Sequence, residues 1–449
     1  MGIITTDKRR IIIGLGQTGL ACARYLQARE LPFAVCDTRE APDAATGFRQ
    51  QFPGVELRLG ELDGDWLAGA GELIISPGVD RRQPPIAAAV AAGVPLIGDI
   101  DLFCREATAP IVAITGSNAK STVTTLVGEM AAAADIRVAV GGNIGTPVLD
   151  LLEQPAELYV LELSSFQLET THELKAAAAT VLNVSPDHLD RYDSMQDYTL
   201  TKQRIYRGAG VAVVNREDPL TRPLMAQGMQ ARSFGLNRPD LRDYGLLEQN
   251  GDVWLACGLE PLLPARALRI RGQHNLANAL AALALADAVR IPREASLRAL
   301  QTFAGLPHRC QWVAEVNGVN YYNDSKGTNV GATQAALEGL GAALEPDARL
   351  ILIAGGIGKE QSFAALAAPL QRYSRDLVLI GQDAQQIAAE TPATTHHFVD
   401  DMEAAVRRAA DLARPGDVVL LSPACASFDM FSGYAERGKV FMQAVEALQ

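Results

Sequence analysis

The feature that most constrains the fold of this chain is a short apolar run that leads directly into a small-residue loop and a lysine. Ile111–Ile114 is a β-branched, apolar stretch of the kind that forms a buried parallel strand. Gly116–Thr122 follows it and ends in Lys-Ser-Thr, and Val123–Ala134 then has a helical pattern. In such a unit, backbone N–H groups and the helix N-terminus point at anionic oxygens, a lysine reaches the outer phosphates and a hydroxyl holds Mg²⁺. The sequence therefore predicts an ATP-binding loop.

Two features of this loop depart from the general phosphate-binding pattern. The loop is shorter than G-x-x-x-x-G-K-[ST], and Ala119 occupies the position before the lysine where glycine is usual. If that position requires a positive φ, the alanine Cβ strains the backbone. An ordinary turn between a strand and a helix is the alternative interpretation, but the preceding strand and Lys120–Thr122 favour phosphate binding.

Composition places the chain among ordinary globular proteins and limits its partners. Of its 449 residues, 48% are hydrophobic and 20% are charged, which is enough for a large core. The length of the chain is typical of three domains. The net charge of −12 disfavours nucleic acids and anionic membranes, because both select basic surfaces. The six cysteines are scattered without a C-x-x-C pair, which argues against a disulfide framework or a zinc site.

The N-terminal segment predicts no targeting sequence. Near the start only Ile11–Ile13 is apolar, which is too short for a signal peptide, and no apolar run in the chain approaches the length of a membrane span. We therefore expect a cytoplasmic protein without membrane insertion, and we expect it to act as a monomer.

Alternating strand-like and helix-like segments predict an α/β protein with parallel sheets in three domains. Residues 1–97 are predicted to form the first domain, 98–304 the second, which carries the phosphate loop, and 305–449 the third. Asn275–Val289 is apolar nearly all round, which predicts a buried helix. Arg232–Arg271 contains short alternating runs that predict a β-rich insertion.

A second glycine-rich loop follows the first predicted strand. Gly14–Gly19 fits G-x-G-x-x-G, and Asp37 ends the next strand near the distance usual for a ribose-binding acid. This fingerprint predicts binding of NAD(P), or of the phosphates and ribose of another nucleotide. A glycine-rich packing turn is the alternative.

Three polar residues of the second domain are candidates for the chemistry of the phosphate site. Glu162 ends the strand Leu158–Leu161, where a carboxylate faces the ligand crevice of an open sheet and suits Mg²⁺, although a helix-capping role is equally compatible. His188 follows Thr180–Leu182 and is a candidate for a second metal site, although a lone histidine is more often structural. From the residues alone, Lys202 is predicted to be a solvated surface lysine on a helix.

Polar clusters follow three predicted strands of the third domain: Asp324–Asn329, Gly355–Lys359 and Ser422–Ser427. The carboxyl ends of parallel strands converge on one crevice, so the clusters together predict an anion-binding site. Lys326 and Lys359 supply its positive charges, and serine and threonine hydroxyls supply directional hydrogen bonds.

Taken in series, these motifs resemble those of the Mur ligase family of peptidoglycan synthesis. The resemblance covers nearly the whole chain and is carried by TGSNAKSTVTT, GGNIGTP, ELSSFQLE, HLDRY, HNLAN, LPHR, NDSKGTN and SPACASFDMF. It implies a Rossmann-like N-terminal domain, a central ATPase-type domain with a parallel sheet, and a Rossmann-like C-terminal domain for the incoming amino acid. It also implies that the first glycine-rich loop serves the UDP of the substrate rather than NAD.

The activity that the resemblance implies is ATP-dependent amide ligation. The first-domain fingerprint, DSKGTN and SPACAS favour the family member that adds D-glutamate to UDP-N-acetylmuramoyl-L-alanine through an acyl phosphate. Another ligase of the family, including the folylpolyglutamate type, is the nearer alternative. An NAD-dependent oxidoreductase and a non-enzymatic, nucleotide-gated binding module are the more distant ones.

The resemblance further implies roles for individual residues. Those implied to bind ATP are Gly116, Ser117, Asn118, Ala119, Lys120, Ser121, Thr122, Asn275, Asn278, Arg309 and Asp324. Those implied to bind the UDP substrate are Gln17, Thr18, Asp37, Thr38, Arg39, Ser76, Pro77, Gly78, Asn143 and Ser164. Those implied to bind D-glutamate are Lys326, Thr328, Lys359, Ser427 and Phe428. The implied catalytic residues are Lys120, Glu162, His188 and Lys202. The resemblance also implies a site for two Mg²⁺ ions, formed by Ser121, Glu162, His188 and Lys202.

Lys202 and Tyr434 carry two further implications of the resemblance. Lys202 matches a lysine that in this family is carbamylated by CO₂ and assists Mg²⁺, which would replace the surface role predicted from the residues alone. Tyr434 stands where a phenylalanine is expected near the amino-acid site. Its additional hydroxyl needs a hydrogen-bond partner if it is buried.

Overall fold

The computed structural model describes residues 9–189, 191–224, 228–270, 272–342 and 344–448. Within these ranges the chain forms three sheets in succession along the sequence, with helices between the strands. The predicted α/β fold with three parallel-rich sheets is therefore confirmed. The exact domain limits, at 97/98 and 304/305, stay predictions. Residues 1–8, Asp190 of the HLDRY motif and Arg271 at the end of the predicted β-rich region lie outside the described residues.

The first sheet is parallel throughout its described strands, in the order β3-β2-β1-β4-β5. Its strands are β1 (Arg10–Ile13), β2 (Phe33–Asp37), β3 (Leu57–Leu59), β4 (Glu72–Ile75) and β5 (Leu96–Ile97). The helices are α1 (Gln17–Ala28), α2 (Ala44–Gln51), α3 (Gly64–Ala68), α4 (Pro84–Ala91) and α5 (Asp99–Cys104). β1 is central and its three isoleucines are fully buried, because a parallel strand is covered on both faces.

The central sheet carries the phosphate loop and has the order β14-β13-β12-β11-β10-β9-β6-β8-β7. Its strands are β6 (Ile111–Thr115), β7 (Val138–Gly142), β8 (Leu158–Glu162), β9 (Ala178–Val181), β10 (Val211–Asn215), β11 (Gln230–Phe234), β12 (Tyr244–Gln249), β13 (Asp252–Cys257) and β14 (Glu260–Pro264). Its helices are α6 (Lys120–Ala132), α7 (Ser165–Leu168), α8 (Met195–Gln203), α9 (Gln273–Ala288) and α10 (Arg293–Thr302). The predicted buried helix is α9, whose residues 278–286 are all buried.

The predicted β-rich insertion is β structure, but its strands extend the central sheet instead of interrupting it. β11 pairs in parallel with β10, and β12, β13 and β14 continue as an antiparallel meander. Phe234 and Tyr244 pair across β11 and β12 and are buried, and α9 packs against these two strands. The sheet therefore gains area that covers α9.

The third sheet is parallel except for its first strand, in the order β15-β16-β20-β17-β18-β19. Its strands are β15 (Gln311–Val316), β16 (Val319–Asn323), β17 (Leu350–Gly355), β18 (Ser374–Ile380), β19 (Thr395–Phe398) and β20 (Val418–Leu421). Its helices are α11 (Val330–Gly341), α12 (Ala367–Tyr373), α13 (Ala384–Glu390), α14 (Met402–Leu412) and α15 (Tyr434–Glu446). The three polar clusters follow β16, β17 and β20, which are adjacent in the sheet, so the predicted convergence of these strand ends is confirmed.

Two predictions from composition can be compared with the described residues directly. The six cysteines are all free thiols in the structure. In the described ranges we find no helix that combines the length and the apolar character needed to cross a bilayer.

A buried acid lies where the chain passes from the first sheet to the second. Asp99 opens α5, its Oδ2 accepts a hydrogen bond from Gln167 Nε2 at 3.3 Å, and its Oδ1 has no partner among the described residues. Burial raises the pKa of Asp99 to about 6, outweighing the hydrogen bond from Gln167. An ionised Asp99 therefore destabilises the folded state.

We expect Asp99→Asn to stabilise the protein in a pH-dependent way. The folded pKa lies above the unfolded one, so the destabilisation by Asp99 is absent below about pH 4 and complete above about pH 6, where it reaches up to about 3 kcal/mol. Urea unfolding of variant and parent between pH 4.5 and 8 should show a gap that widens as the pH rises. Asp65→Asn, at an exposed first-turn acid of α3, serves as the control. A gap that is constant with pH would contradict the assignment.

Candidate active site

The phosphate loop is held against the end of the neighbouring strand β9. β6 ends at Thr115 and α6 begins at Lys120, three residues earlier than the predicted start of the helix. Ser117 N–H donates to Asn183 O at 2.9 Å, and Asn118 N–H donates to Asn183 Oδ1 at 2.8 Å. The loop is thereby fixed before any ligand binds, with Lys120 and Ser121 in the first turn of the helix, where free N–H groups and the helix dipole favour anions.

The position before the lysine has the conformation that usually selects glycine. Ala119 caps α6 with φ 65° and ψ −2°, in the left-handed region. A Cβ in this region crowds the neighbouring backbone and costs about 1–2 kcal/mol. The strain expected from the sequence is therefore present, and the chain carries it at the entrance to the phosphate site.

We expect Ala119→Gly to stabilise the protein slightly, by at most about 1 kcal/mol, because relief of the left-handed strain exceeds the extra entropy of glycine in the unfolded chain. Ala133→Gly provides the matched control at the other end of the same helix. Ala133 has a right-handed conformation, φ −65°, so the substitution should destabilise by about 0.5–1 kcal/mol. The two changes in unfolding midpoint should have opposite signs, and equal signs would contradict the argument.

Two lysines meet at one carbonyl of the loop. Lys120 Nζ donates to Gly116 O at 2.8 Å and to Ser117 O at 3.0 Å, while Lys202 Nζ donates to Gly116 O at 2.9 Å. Lys202 is 1% exposed, so the surface role predicted from the residues alone is wrong. Burial, together with the nearby charge of Lys120, holds the pKa of Lys202 well below its usual value. Burial also lowers the pKa of Lys120.

Glu162 presents a carboxylate oxygen that the described residues leave unpaired. The residue ends β8 beside the phosphate loop strand β6 and is 2% exposed. Its Oε1 accepts a hydrogen bond from Asn143 Nδ2 at 2.7 Å, whereas its buried Oε2 has no partner among the described residues. A buried, unsatisfied carboxylate oxygen is costly unless a cation or donor arrives with the ligand.

The donor set fits Mg²⁺ bound mainly through a nucleotide. The described residues contain no group of three or more His, Cys, Asp or Glu side chains placed to hold a metal. Mg²⁺ is typically held by one or two protein oxygens together with water and phosphate oxygens, and the free Oε2 of Glu162 and the hydroxyl of Ser121 suit that role. Ser121 Oγ already accepts a hydrogen bond from Arg309 Nη2 at 2.7 Å, which places it at the phosphate end of the site.

The turn that carries His188 lies between the central and the third domain. Asp187 Oδ2 accepts a hydrogen bond from Asn329 Nδ2 at 3.1 Å, and Asp187 Oδ1 lies 3.5 Å from Lys359 Nζ. Burial alone would raise the pKa of Asp187, but the charges of His188, Lys359 and Lys120 outweigh it and hold that pKa below the usual value. His188 itself has φ 55°, and its ring packs edge-on against Phe166 with centroids 4.8 Å apart. A metal-binding role for His188 stays a prediction.

A cavity of about 320 Å³ adjoins the loop and is lined by both the central and the third domain. It is lined by the four residues that are predicted to bind ATP and that follow the phosphate loop in the sequence: Asn275, Asn278, Arg309 and Asp324. Asp324 accepts hydrogen bonds from Cys310 N–H at 3.1 Å and Ser422 Oγ at 2.7 Å, and burial raises its pKa to about 6. The structure thus brings the predicted ATP residues of two domains around one space.

Several lining residues of this cavity were not predicted from the sequence: Asn183, Phe234, Ile270, His274, Leu306, Ala332, Ala335 and Ala336. The three alanines come from α11, so this helix of the third domain closes one wall of the cavity. A row of small residues on a helix gives no binding signal by itself, because the same pattern is typical of close helix packing.

The residues predicted to bind the UDP substrate lie around the first glycine-rich loop. Gln17, Thr38 and Arg39 are exposed and Ser76 donates to Gly14 O at 3.1 Å. Thr18 and Pro77 are half-buried and Gly78 is exposed. Asp37 is buried and bonds to the loop. Gly19 is required there, since a Cβ on it would lie 2.0 Å from Gly14 O. Their contacts with UDP stay predictions.

Asp37 is already engaged by its own chain. Its carboxylate accepts hydrogen bonds from Leu15 N–H at 2.6 Å, Arg39 N–H at 2.9 Å and the Arg39 guanidinium at 2.8 Å. Burial alone would raise the pKa of Asp37, but these hydrogen bonds, first of all from the Arg39 side chain, lower it to about 2. Asp37 therefore braces the loop and orients Arg39 in this structure, and its contact with the UDP substrate stays a prediction.

The two central-domain residues predicted to contact the UDP substrate flank Glu162. Asn143 is exposed and holds Glu162 through its side chain. Ser164 caps the short helix α7, where its Oγ accepts from Gln167 N–H at 3.1 Å. The helix-capping role weighed for Glu162 thus belongs to Ser164, two residues later.

The residues predicted to bind D-glutamate fall into two adjacent groups. Lys326 Nζ donates to Tyr434 OH at 3.1 Å and lies over the Tyr434 ring, 4.4 Å from its centroid, so the additional hydroxyl has a partner. Thr328 follows Lys326 and is half-buried. Ile357 and Ala426 are joined by backbone hydrogen bonds, which places Lys359 and Ser427 on neighbouring loops. Phe428 is 72% exposed.

Comparison with families of known proteins agrees with this arrangement. Three family models match successive parts of the chain: the MurD-like N-terminal domain of Mur ligases over residues 8–98, the Mur ligase middle domain over 114–286, and the Mur ligase glutamate ligase domain over 308–425. The chain belongs to the Mur ligase family. Because the first model spans Gly14–Gly19, the NAD-dependent oxidoreductase interpretation of that loop is set aside.

Individual relatives of this Mur ligase extend the comparison over its whole length. The UDP-N-acetylmuramoylalanine–D-glutamate ligase of Pseudomonas aeruginosa is 59% identical over 449 residues, and the match covers 100% of both chains. The solved structure of a UDP-N-acetylmuramate-alanine ligase from Thermotoga maritima has a TM-score of 0.61 at 18% identity, covering 99% of this chain and 100% of that one. FolC of E. coli, solved with DHPP and ADP, has a TM-score of 0.60 at 17% identity, covering 78% and 93%. At these identities the structural likeness shows a shared fold.

Proposed function

We propose that this chain is an ATP-dependent ligase that joins D-glutamate to UDP-N-acetylmuramoyl-L-alanine in the synthesis of peptidoglycan precursors. The Pseudomonas aeruginosa relative that matches it from end to end bears the name of that activity. The observation that carries the proposal is the position of Lys326. This residue lines the nucleotide cavity and also belongs to the anion-binding cluster of the third domain, so the sites for phosphoryl donor and amino acid adjoin.

We assign Mg²⁺ to Glu162 and Ser121, with His188 and Lys202 as candidates at a second ion. When bound, the metal offsets negative charge on the phosphate oxygens. Glu162 contributes a buried oxygen that has no other partner among the described residues. Asn143 orients this carboxylate through its hydrogen bond to Oε1.

In the first step the terminal carboxylate of the UDP-sugar-alanine attacks the γ-phosphorus of ATP. The bond from that phosphorus to the β–γ bridging oxygen breaks, ADP leaves, and an acyl phosphate forms. Lys120 Nζ donates to Gly116 O of the loop and Arg309 donates to Ser121 Oγ at the helix start, and we assign the charges of both residues to the phosphate oxygens during transfer. Because the two side chains are already held in position, they can stabilise the developing charge without the reorientation that water molecules would need.

In the second step the amine of D-glutamate attacks the acyl carbon. The tetrahedral intermediate collapses to the amide and inorganic phosphate, and the attacking amine loses one proton while its other hydrogen remains as the amide N–H. Lys326, Thr328, Lys359 and Ser427 are assigned to the two carboxylates of D-glutamate, and an imidazole nitrogen of His188 is the candidate acceptor of a proton. An acyl phosphate hydrolyses in water, so the enclosure of the cavity by two domains suits this chemistry.

We further propose that Lys202 carries a carbamate formed from CO₂. Its amine is buried and its pKa is lowered by burial and by Lys120, so the neutral, nucleophilic form is favoured. Attack of that amine on CO₂ forms a carbamate and releases one proton. The change replaces a neutral, buried amine next to Lys120 by an anion that would pair with Lys120 and support Mg²⁺.

The experiment that tests the proposed function measures phosphate release from ATP and Mg²⁺ with UDP-N-acetylmuramoyl-L-alanine. D-glutamate is added, omitted or replaced by L-glutamate. We expect release only when the sugar nucleotide and D-glutamate are present together. Release that depends on a different acceptor, or on a folate-type substrate, would favour another ligase of this fold. Tight binding of the sugar nucleotide without release would contradict the proposed reaction and direct attention to Ala119.

A further inference from the structure

One side chain to which the sequence assigned no individual role contacts three separate parts of the predicted site. Asn329 is buried at the N-terminal cap of α11, directly after the DSKGT stretch of the third domain. Its Nδ2 donates to Asn118 Oδ1 at 3.3 Å in the phosphate loop and to Asp187 Oδ2 at 3.1 Å in the His188 turn. Its Oδ1 accepts from Ala332 N–H at 2.9 Å and from Asn118 Nδ2 at 3.4 Å.

The orientation of this amide is determined from two sides independently. The backbone N–H of Ala332 can only donate, so it requires the oxygen of Asn329 on the helix side. The carboxylate of Asp187 accepts hydrogen bonds, so it requires the nitrogen on the opposite side. The paired contacts with Asn118 then follow, because each amide offers the other both a donor and an acceptor.

The backbone near Asn329 is adapted to the same close approach. A Cβ added at Gly331, two residues into the helix, would lie 3.0 Å from Ser185 Oγ and 3.5 Å from Asn118 Nδ2. Glycine thus leaves the space in which the first turn of α11 meets the phosphate loop. Further along the same helix, Ala332, Ala335 and Ala336 form the wall of the nucleotide cavity.

We infer that Asn329 is a positioning residue that couples the phosphate loop to the amino-acid site. Its amide holds the loop, the turn carrying His188, and the start of α11 in one arrangement. Lys326 and Thr328, which we assign to D-glutamate, lie three residues and one residue before it in the chain. Nucleotide bound at the loop therefore fixes the amino-acid site through Asn329, and amino acid bound there favours the same loop arrangement in return.

This inference rests on the proposed function, because it requires a nucleotide and an amino acid to act in one reaction. Its first test is Asn329→Ser. Serine is as good a helix N-cap as asparagine and keeps an acceptor for Ala332 N–H, but it is too short to reach Asn118 and Asp187. Asp401→Ser is the control, because it makes the same kind of exchange at the N-cap of α14. Asp401 Oδ1 accepts a hydrogen bond from Ala404 N–H in the first turn of that helix.

We expect Asp401→Ser to keep the thermal midpoint of the parent, and Asn329→Ser to have a lower midpoint but to remain folded at the assay temperature. For Asn329→Ser we expect the KM for D-glutamate to rise by about tenfold or more and kcat to fall, since one of the lost hydrogen bonds is to a charged carboxylate. The affinity for ATP alone should stay near that of the parent, as Lys120, Ser121 and Arg309 are retained. Asp401→Ser should keep the kinetics of the parent.

The second test exchanges the partners of one hydrogen bond. Asn329→Asp places two carboxylates in contact and should impair the enzyme more than serine does. Adding Asp187→Asn restores a donor and an acceptor in exchanged positions, and should recover at least part of the lost kcat/KM. Recovery reports the coupling between these two side chains, and thermal midpoints measured for the single and double variants separate this coupling in kcat/KM from a change in folding.

The inference is overturned if Asn329→Ser keeps the KM and kcat of the parent, or if the exchanged pair is no better than the worse single variant. A parent enzyme that does not respond to D-glutamate would remove the proposed function and this inference together. A responsive parent with an unaffected Asn329→Ser variant would remove the inference alone.

Discussion

Glu162→Gln is expected to lower the rate of phosphate release by roughly three orders of magnitude, because the variant lacks the negative charge assigned to Mg²⁺. Glutamine has nearly the same shape, and its Oε1 can still accept the hydrogen bond from Asn143 Nδ2. The buried Oε2, which has no partner among the described residues, is the atom whose replacement matters. Fold and affinity for the UDP-sugar substrate should therefore remain, while the rate falls.

The measurement combines phosphate release with calorimetric ATP binding at several Mg²⁺ concentrations. We expect the ATP affinity of the parent to rise with Mg²⁺ and that of the variant to respond much less. Glu157→Gln, next to the opposite end of the same strand, changes an exposed acid that pairs with Arg137 and should leave both properties unchanged. A variant with undiminished turnover would show that Glu162 has only a structural role, and would contradict its assignment to Mg²⁺.

The features that the sequence predicted well are those that depend on neighbouring residues. The strand Ile111–Thr115, the loop after it and the helix that begins at Lys120 follow from a local pattern of apolar and small residues. The sequence also indicated that an alanine before the lysine would be strained if that position had a positive φ, and the φ of Ala119 is positive. Strands β3, β5 and β7 were missed, since they are short or half-buried and show no clear alternation.

The features that could not be predicted from the residues depend on distant parts of the chain. Lys202 looks like any polar residue on a surface helix, and its burial arises from contact with Gly116, 86 positions away. The contact of Asn329 with Asn118 spans 211 positions and joins two domains. No local pattern shows that Lys202 is buried or that Asn329, although it ends a predicted polar cluster, contacts the phosphate loop, and only the family resemblance drew attention to Lys202.

The first glycine-rich loop illustrates a third case, in which a motif is correct but its usual function does not follow. Gly14 has a positive φ and Gly19 lies against Gly14 O, as the fingerprint requires. Asp37 occupies the position of the ribose-binding acid, but Arg39, two residues later, binds its carboxylate. The fingerprint fixes the backbone turn, whereas the ligand depends on side chains outside the motif.

Lys202→Met is expected to lower turnover by at least about a hundredfold while leaving the protein folded. Methionine fills a similar volume without a buried charge, so stability should be kept or increased. Lys175→Met, at an exposed lysine of the same domain, should leave turnover unchanged.

Dependence on CO₂ separates a carbamate on Lys202 from an ammonium ion at the same position. We expect the parent to lose activity in CO₂-depleted buffer and to regain it with bicarbonate, and Lys202→Met to respond to neither treatment. Incubation with ¹³C-bicarbonate should give a carbamate carbon resonance in the parent that is absent from the variant. Full activity of the parent without CO₂, and no such resonance, would contradict the carbamate. Lys202 would then act as an amine on Gly116 O, and its low pKa would reflect burial beside Lys120 alone.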